Sequence, residues 1–80
     1  MLIPILMPKL GYDMTAGIIA GWLVEVGDQV TRGQAIAEIE TDKVVIEMES
    51  LASGTFLEIV HGPDDEVEVG GVIGYLDDGI

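Results

Sequence analysis

The chain has 80 residues and a mass of 8.5 kDa, enough for one domain spanning 1–80 with a thin core. Its 15 acidic residues outnumber 3 basic ones, and a net charge of −12 disfavours nucleic acid and anionic membrane surfaces as partners. Cysteine is absent, which removes disulfides, thiolate metal sites and thiol nucleophiles together. The apolar stretch Gly17 to Val24 falls far short of the roughly 20 residues that cross a bilayer, and no signal peptide is evident. A cytoplasmic location is expected, or the mitochondrial matrix in a eukaryote.

Eleven glycines divide the sequence into short pieces rich in Val and Ile, none holding a helical period. In chain order, strands are predicted at Leu2–Met7, Gly17–Val24, Gln29–Thr31, Ala35–Glu40, Val44–Glu49, Gly54–Val60, Glu66–Val69 and Val72–Leu76. Pro4 and Pro8 withhold ladder donors, so the first strand should lie at an edge or carry a bulge. Gly27-Asp28, Arg32-Gly33, Gly62-Pro63-Asp64 and Gly70-Gly71 have the chemistry of tight turns. About eight short strands with regular turns imply an all-β fold, a flattened barrel or sandwich of two antiparallel sheets.

An internal repeat supports this. Shifted by 37 residues, the segment 17–40 aligns without a gap on 54–77. Gly17 meets Gly54, Asp28 meets Asp65, Val30 meets Val67, Gly33 meets Gly70 and Ile36 meets Ile73. Two similar β-units packed face to face about a pseudo-two-fold axis are expected. Lys43 then corresponds to Ile80, so the turn carrying Lys43 and the chain termini should occupy opposite ends.

That turn lies within Glu38-Ile39-Glu40-Thr41-Asp42-Lys43-Val44-Val45-Ile46-Glu47-Met48-Glu49. Ala35, Ala37 and Ile39 share one face of the upstream strand, as Val44, Ile46 and Met48 share one face downstream. Alternation holds up to Asp42-Lys43, the expected centre of a hairpin. Without Gly or Asn there, a type I turn is expected, with Lys43 at its exposed apex.

Glu40-Thr41-Asp42-Lys43-Val44, centred in a glycine-punctuated β repeat, resembles the lipoyl domains of acyltransferase subunits in 2-oxo acid dehydrogenase complexes. Met7-Pro8-Lys9-Leu10-Gly11 with Met14-Thr15 resembles that family's first strand and loop, slightly closer to carriers of pyruvate or acetoin complexes. Gly27-Asp28, Arg32-Gly33 and Ala52-Ser53-Gly54 resemble its later turns, so the resemblance covers almost the whole chain.

The resemblance implies lipoic acid in amide linkage to Lys43. Redox thiol chemistry in a chain without cysteine would then come from the cofactor. It implies four partners: a lipoate-attaching enzyme, a thiamine-diphosphate-dependent decarboxylase, an acyltransferase core and a flavin-dependent dihydrolipoyl dehydrogenase. The domain would be a non-catalytic carrier whose tethering raises the arm's effective concentration at each site. Glu40, Thr41, Asp42 and Val44 would hold the apex for the attaching enzyme, and Tyr12, in the Leu10–Met14 loop, would help the decarboxylase choose its carrier.

Two alternatives stand beside this reading. Biotin carrier domains share the fold but usually set methionine on both sides of their lysine, where Asp42 and Val44 stand here. An unmodified β-sandwich interaction module would leave Lys43 as a turn residue. No Ser/His/Asp or Cys/His arrangement suggests an enzyme. His61, the only histidine, and the run Asp64-Asp65-Glu66 are read as surface turn residues and not as a metal site. Trp22 and Phe56 are read as core.

Overall fold

A computed structural model describes residues 1–42 and 44–80 of the chain. It contains eight strands: β1 (Leu2–Leu6), β2 (Ala16–Trp22), β3 (Gln29–Val30), β4 (Ala35–Thr41), β5 (Val44–Glu49), β6 (Gly54–Ile59), β7 (Glu66–Glu68) and β8 (Val72–Asp77). No helix occurs among the described residues. Two antiparallel four-stranded sheets form, ordered β1-β8-β6-β3 and β5-β4-β2-β7. The expected strands are all present, each bounded within two residues of its predicted limits.

The repeat is realised by exchange. Each unit lends its shortest strand to the other unit's sheet, β3 pairing with β6 and β7 with β2. The two expected units are therefore interlocked, since each sheet holds strands of both. Backbone bonds repeat across the exchange. The Gly27 and Asp64 amides donate to the carbonyls of Phe56 and Ile19 at 2.7 Å each, while the Phe56 and Ile19 amides donate to Asp28 and Asp65 at 2.8 and 2.9 Å. Turn geometry matches too. Gly33 and Gly70 share φ of 89°, and Asp64 at 72° takes the left-handed place that Gly27 fills at 100°.

Bulges recur at equivalent sites. The pairing skips Ala20 between β2 and β4, and Leu57 between β6 and β8. It skips Ile36 against β5, and Ile73 against β1. A bulged residue breaks strict alternation, which is why Ile36 and Ala37 are both fully buried although adjacent residues of a regular strand face opposite ways. β1 is an edge strand, as Pro4 requires, and the bulge in its ladder is carried by β8 at Ile73.

Between the sheets lie Ile19, Ile36, Ile39, Phe56 and Ile73 with no exposed surface, closed by Met7 and Leu76. Each such large side chain contributes about 1.5–3 kcal/mol on burial. Trp22 lies against Phe56, ring centroids 5.0 Å apart, and its indole N–H donates to the His61 carbonyl at 2.9 Å.

Pairing register orients the molecule. Gly17, the second residue of β2, stands beside the pair Ile18–Glu40. A Cβ at Gly17 would crowd Ile39, Met14 and Met7, and Met7 follows the end of β1. The β4–β5 hairpin therefore shares one end with the β1–β2 loop. Leu2 pairs with Asp77 at the other end of β1, so both termini lie opposite the hairpin.

At that far end a Cβ on Gly54 would collide with the backbone carbonyl of Asp77. Backbone cannot yield as the flexible ends of Met7 and Met14 can. Gly54→Ala is therefore expected to cost about 2–3 kcal/mol and Gly17→Ala about 1 kcal/mol, read from urea midpoints at constant m.

The Met1 amine bonds Asp77 at 3.1 Å and Asp78 at 3.0 Å. Asp78, then Asp77, raises the amine pKa above its ordinary 8.0. Asp77 and Asp78 are held below 3.8, chiefly by the amides of Gly79 and Ile80 and next by the amine. The amine's contribution is complete below pH 8.0 and fades as pH rises through its raised value. The carboxylates' contribution is complete above pH 3.8 and fades as pH falls through their lowered values. Acetylating Met1 should thus lower the melting temperature slightly at pH 6 and leave it unchanged at pH 11, checked by thermal scans.

Candidate functional site

The β4–β5 hairpin is built by alternation on both strands. Ile39 faces Ile46, Glu40 faces Val45 and Thr41 faces Val44, leaving a connection of two residues, 42 and 43. Lys43, the predicted attachment point, lies outside the described residues. Its neighbours are described. Asp42 and Val44 are exposed, as are Glu40 and Val45, while Thr41 is half-buried. Val44 and Val45 keep 55% and 53% of their surface open, so the tip has an apolar shoulder with no core to enter.

Asp42 has a φ of 43°, in the left-handed region. This overturns the expected type I turn, whose first central residue has φ near −60°. Asp, with its short polar side chain, tolerates this region far better than bulkier residues do. A two-residue hairpin favours the primed turns because their twist matches that of the strands, and Asp42 satisfies the positive φ they need without a glycine.

The structure gathers Glu40, Thr41, Asp42 and Val44 on one hairpin. It sets Tyr12 on the β1–β2 loop at the same end, 92% exposed, in a turn where the Met14 amide donates to Gly11 O at 3.2 Å. Carboxylates crowd the outer face of β4 and β5, where Glu38 stands directly across from Glu47. Such like-charge pairs destabilise modestly. Among the described residues ion pairs involve only Met1 and His61, and no described cation pairs with these carboxylates.

Sequence reasoning gave Val45 no role. Its place between Val44 and Ile46 hid it, although on the outer face it occupies the row that Glu47 and Glu49 continue.

His61 and Asp65 belong to the β6–β7 turn. The Asp65 carboxylate accepts the Gly62 amide at 3.1 Å and lies 3.3 Å from His61 Nδ1. Asp28 does the same at the repeat-related turn, accepting the Glu25 amide at 2.9 Å. Both aspartates close turns.

A sequence profile of the Biotin_lipoyl family, described as "Biotin-requiring enzyme", matches residues 3–76. The chain belongs to this family. It is 44% identical over 73 residues, 91% of its length, to the dihydrolipoyllysine-residue succinyltransferase component of the 2-oxoglutarate dehydrogenase complex of Staphylococcus saprophyticus, covering 17% of that protein. It is 46% identical over 72 residues, 90% of its length, to the dihydrolipoyllysine-residue acetyltransferase component of the pyruvate dehydrogenase complex of Corynebacterium glutamicum, covering 11%. Against the acetyltransferase component of the acetoin cleaving system of Bacillus subtilis the identity is 37% over 98% of the chain and 20% of the relative. The chain thus spans a fifth or less of the length of these relatives. Among solved structures, the lipoyl domain of the 2-oxoglutarate dehydrogenase complex of Azotobacter vinelandii superposes with a TM-score of 0.75 at 38% identity, covering 96% of this chain and 98% of that one.

If left-handed Asp42 shapes the apex, side chains should differ sharply there. Asp42→Asn and Asp42→Gly should keep the parent stability within a few tenths of a kcal/mol, whereas Asp42→Val should lose about 1–2 kcal/mol in chemical denaturation.

Proposed function

We propose that the chain is a lipoyl carrier domain with the cofactor attached through the side-chain amine of Lys43. The observation that carries this reading is the two-residue connection between paired Thr41 and Val44, with exposed neighbours, at the end away from the termini. Relatives named for a dihydrolipoyllysine residue and a lipoyl-domain structure of nearly equal length support it. The residues present fit such a group. Asp42 supplies the backbone bend, Glu40–Val45 and Thr41–Val44 pairing stiffens the stem, and no core residue is drawn into the tip.

When attached, a lipoyl group supplies a disulfide that accepts an acyl group and two electrons. The protein's part is to present the attachment position from a connection between two paired strands, with exposed Asp42 and Val44 on either side. Glu40, Thr41, Asp42 and Val44 form the surface an attaching enzyme would read, and Tyr12 stands on the neighbouring loop for a decarboxylase to contact. By this reading the domain works in a 2-oxo acid dehydrogenase complex, visiting a decarboxylase, an acyltransferase core and a dihydrolipoyl dehydrogenase, in the cytoplasm or mitochondrial matrix. The resemblance of Met7–Thr15 favours a pyruvate- or acetoin-type complex, to be compared with a 2-oxoglutarate-type one by reductive acylation with each decarboxylase.

The mass of protein expressed with lipoate and an attaching enzyme should rise by one lipoyl group, and Lys43→Ala should abolish the rise. Exchanging residues 42 and 43, as Asp42→Lys with Lys43→Asp, should abolish it as well, because the amine then leaves from a different point of the bend. A biotin-sized increment would select the biotin carrier reading, and no increment under any condition would select the unmodified interaction module.

A further inference from the structure

The two sheets have four edges, and they are not equivalent. β3 and β7 have two and three residues, too short to template another strand. β1 has five residues but includes Pro4, and its register against β8 is broken between Ile5 and Leu6. β5 is different, with six residues, no proline, and β4 as its sole hydrogen-bonded neighbour. An open strand edge is a template for pairing with a further chain.

Beside that edge the sandwich is open. Between β5 and β1 runs an apolar groove of about 640 Å³, lined by Ile5, Met7, Leu10, Met48, Leu51 and Leu76 among others, with Glu47 and Glu49 along one side. β5 alternates across it. Ile46 and Met48 turn inward, half-buried and buried, whereas Val45, Glu47 and Glu49 are exposed. Methionine-lined apolar surfaces adapt to varied side chains.

We propose that β5 is a docking edge for an extended basic peptide segment, which adds as a fifth strand to its sheet. Alternate side chains of such a strand point to opposite faces. Those turned inward enter the groove and must be apolar. Those turned outward stand beside Val45, Glu47 and Glu49 and are best lysine or arginine. Charge decides the occupant: a second copy of this chain, at −12, would bring its own carboxylates against Glu47 and Glu49, whereas a basic strand neutralises them. Glu38, directly across from Glu47, deepens the same field. Main-chain bonds would give the affinity and the alternate pockets the specificity. The proposal uses no property of residue 43 and stands whether or not the domain is lipoylated.

The probe is an acetylated, amidated peptide alternating lysine with valine and isoleucine, of about seven residues to match the strand. Controls are the same composition with its lysines grouped at one end, and a version with glutamate for lysine. Titration followed by NMR should shift the Met7 and Met48 methyl groups and protect β5 amides from exchange. Glu47→Lys combined with Glu49→Lys should weaken binding about tenfold and confer binding of the glutamate peptide. Both side chains are exposed, so this variant keeps the fold, checked by its spectrum. Four outcomes overturn the proposal: no binding at millimolar peptide, shifts confined to another face, equal binding of the grouped-lysine control, or self-association of the free protein through β5.

Discussion

The exchange of short strands is the constraint on which the rest of the architecture depends. β3 finds its partner in β6, and β7 finds its partner in β2, so neither sheet is complete without the other half of the chain. Four backbone hydrogen bonds, from Gly27, Phe56, Asp64 and Ile19, lock the exchange symmetrically. One end of each bond is the backbone of Ile19 or Phe56 itself, and the polar lock and the apolar centre therefore form together or not at all. In a domain this small that coupling matters. Its two halves each lack the surface to make a core alone.

The bulges follow from the same economy of space. Skipping Ile36 and Ile73 in the ladders allows consecutive residues to face inward, so each long strand buries more than alternation permits. The bends also increase the local twist that wraps two four-stranded sheets around a narrow core. The hairpin escapes these distortions. From Ala37 to Thr41 and Val44 to Met48 the register is regular, and that gives the tip its fixed height.

Much of this was readable in the residues. Glycine-bearing turns marked where strands stop, and the repeat carried the symmetry, because Gly33 and Gly70 each need positive φ and Asp28 and Asp65 each close a turn. The exchange was not readable, since β3 and β7 are too short for a pattern to show which sheet they join. Strict alternation sent Ile36 outward, because a bulge is a property of pairing and leaves no mark in one strand's sequence. At the tip the hairpin was legible, while the turn type was not: Asp42 enters the left-handed region under the twist of the strands it joins. The open edge of β5 became visible only when Pro4 and the broken register of β1 and the brevity of β3 and β7 could be weighed together.

The opposition of hairpin and termini has a mechanical side. The body is 36 Å along its longest axis and only 20 by 18 Å across. From the end where Met1 meets Asp77 to the hairpin it is a stiff rod, so a turn imposed at one end is carried to the other. Stiffness comes from eight strands sharing one core, so turning the base is not lost in bending. Whatever the tip presents inherits the length of the protein as reach.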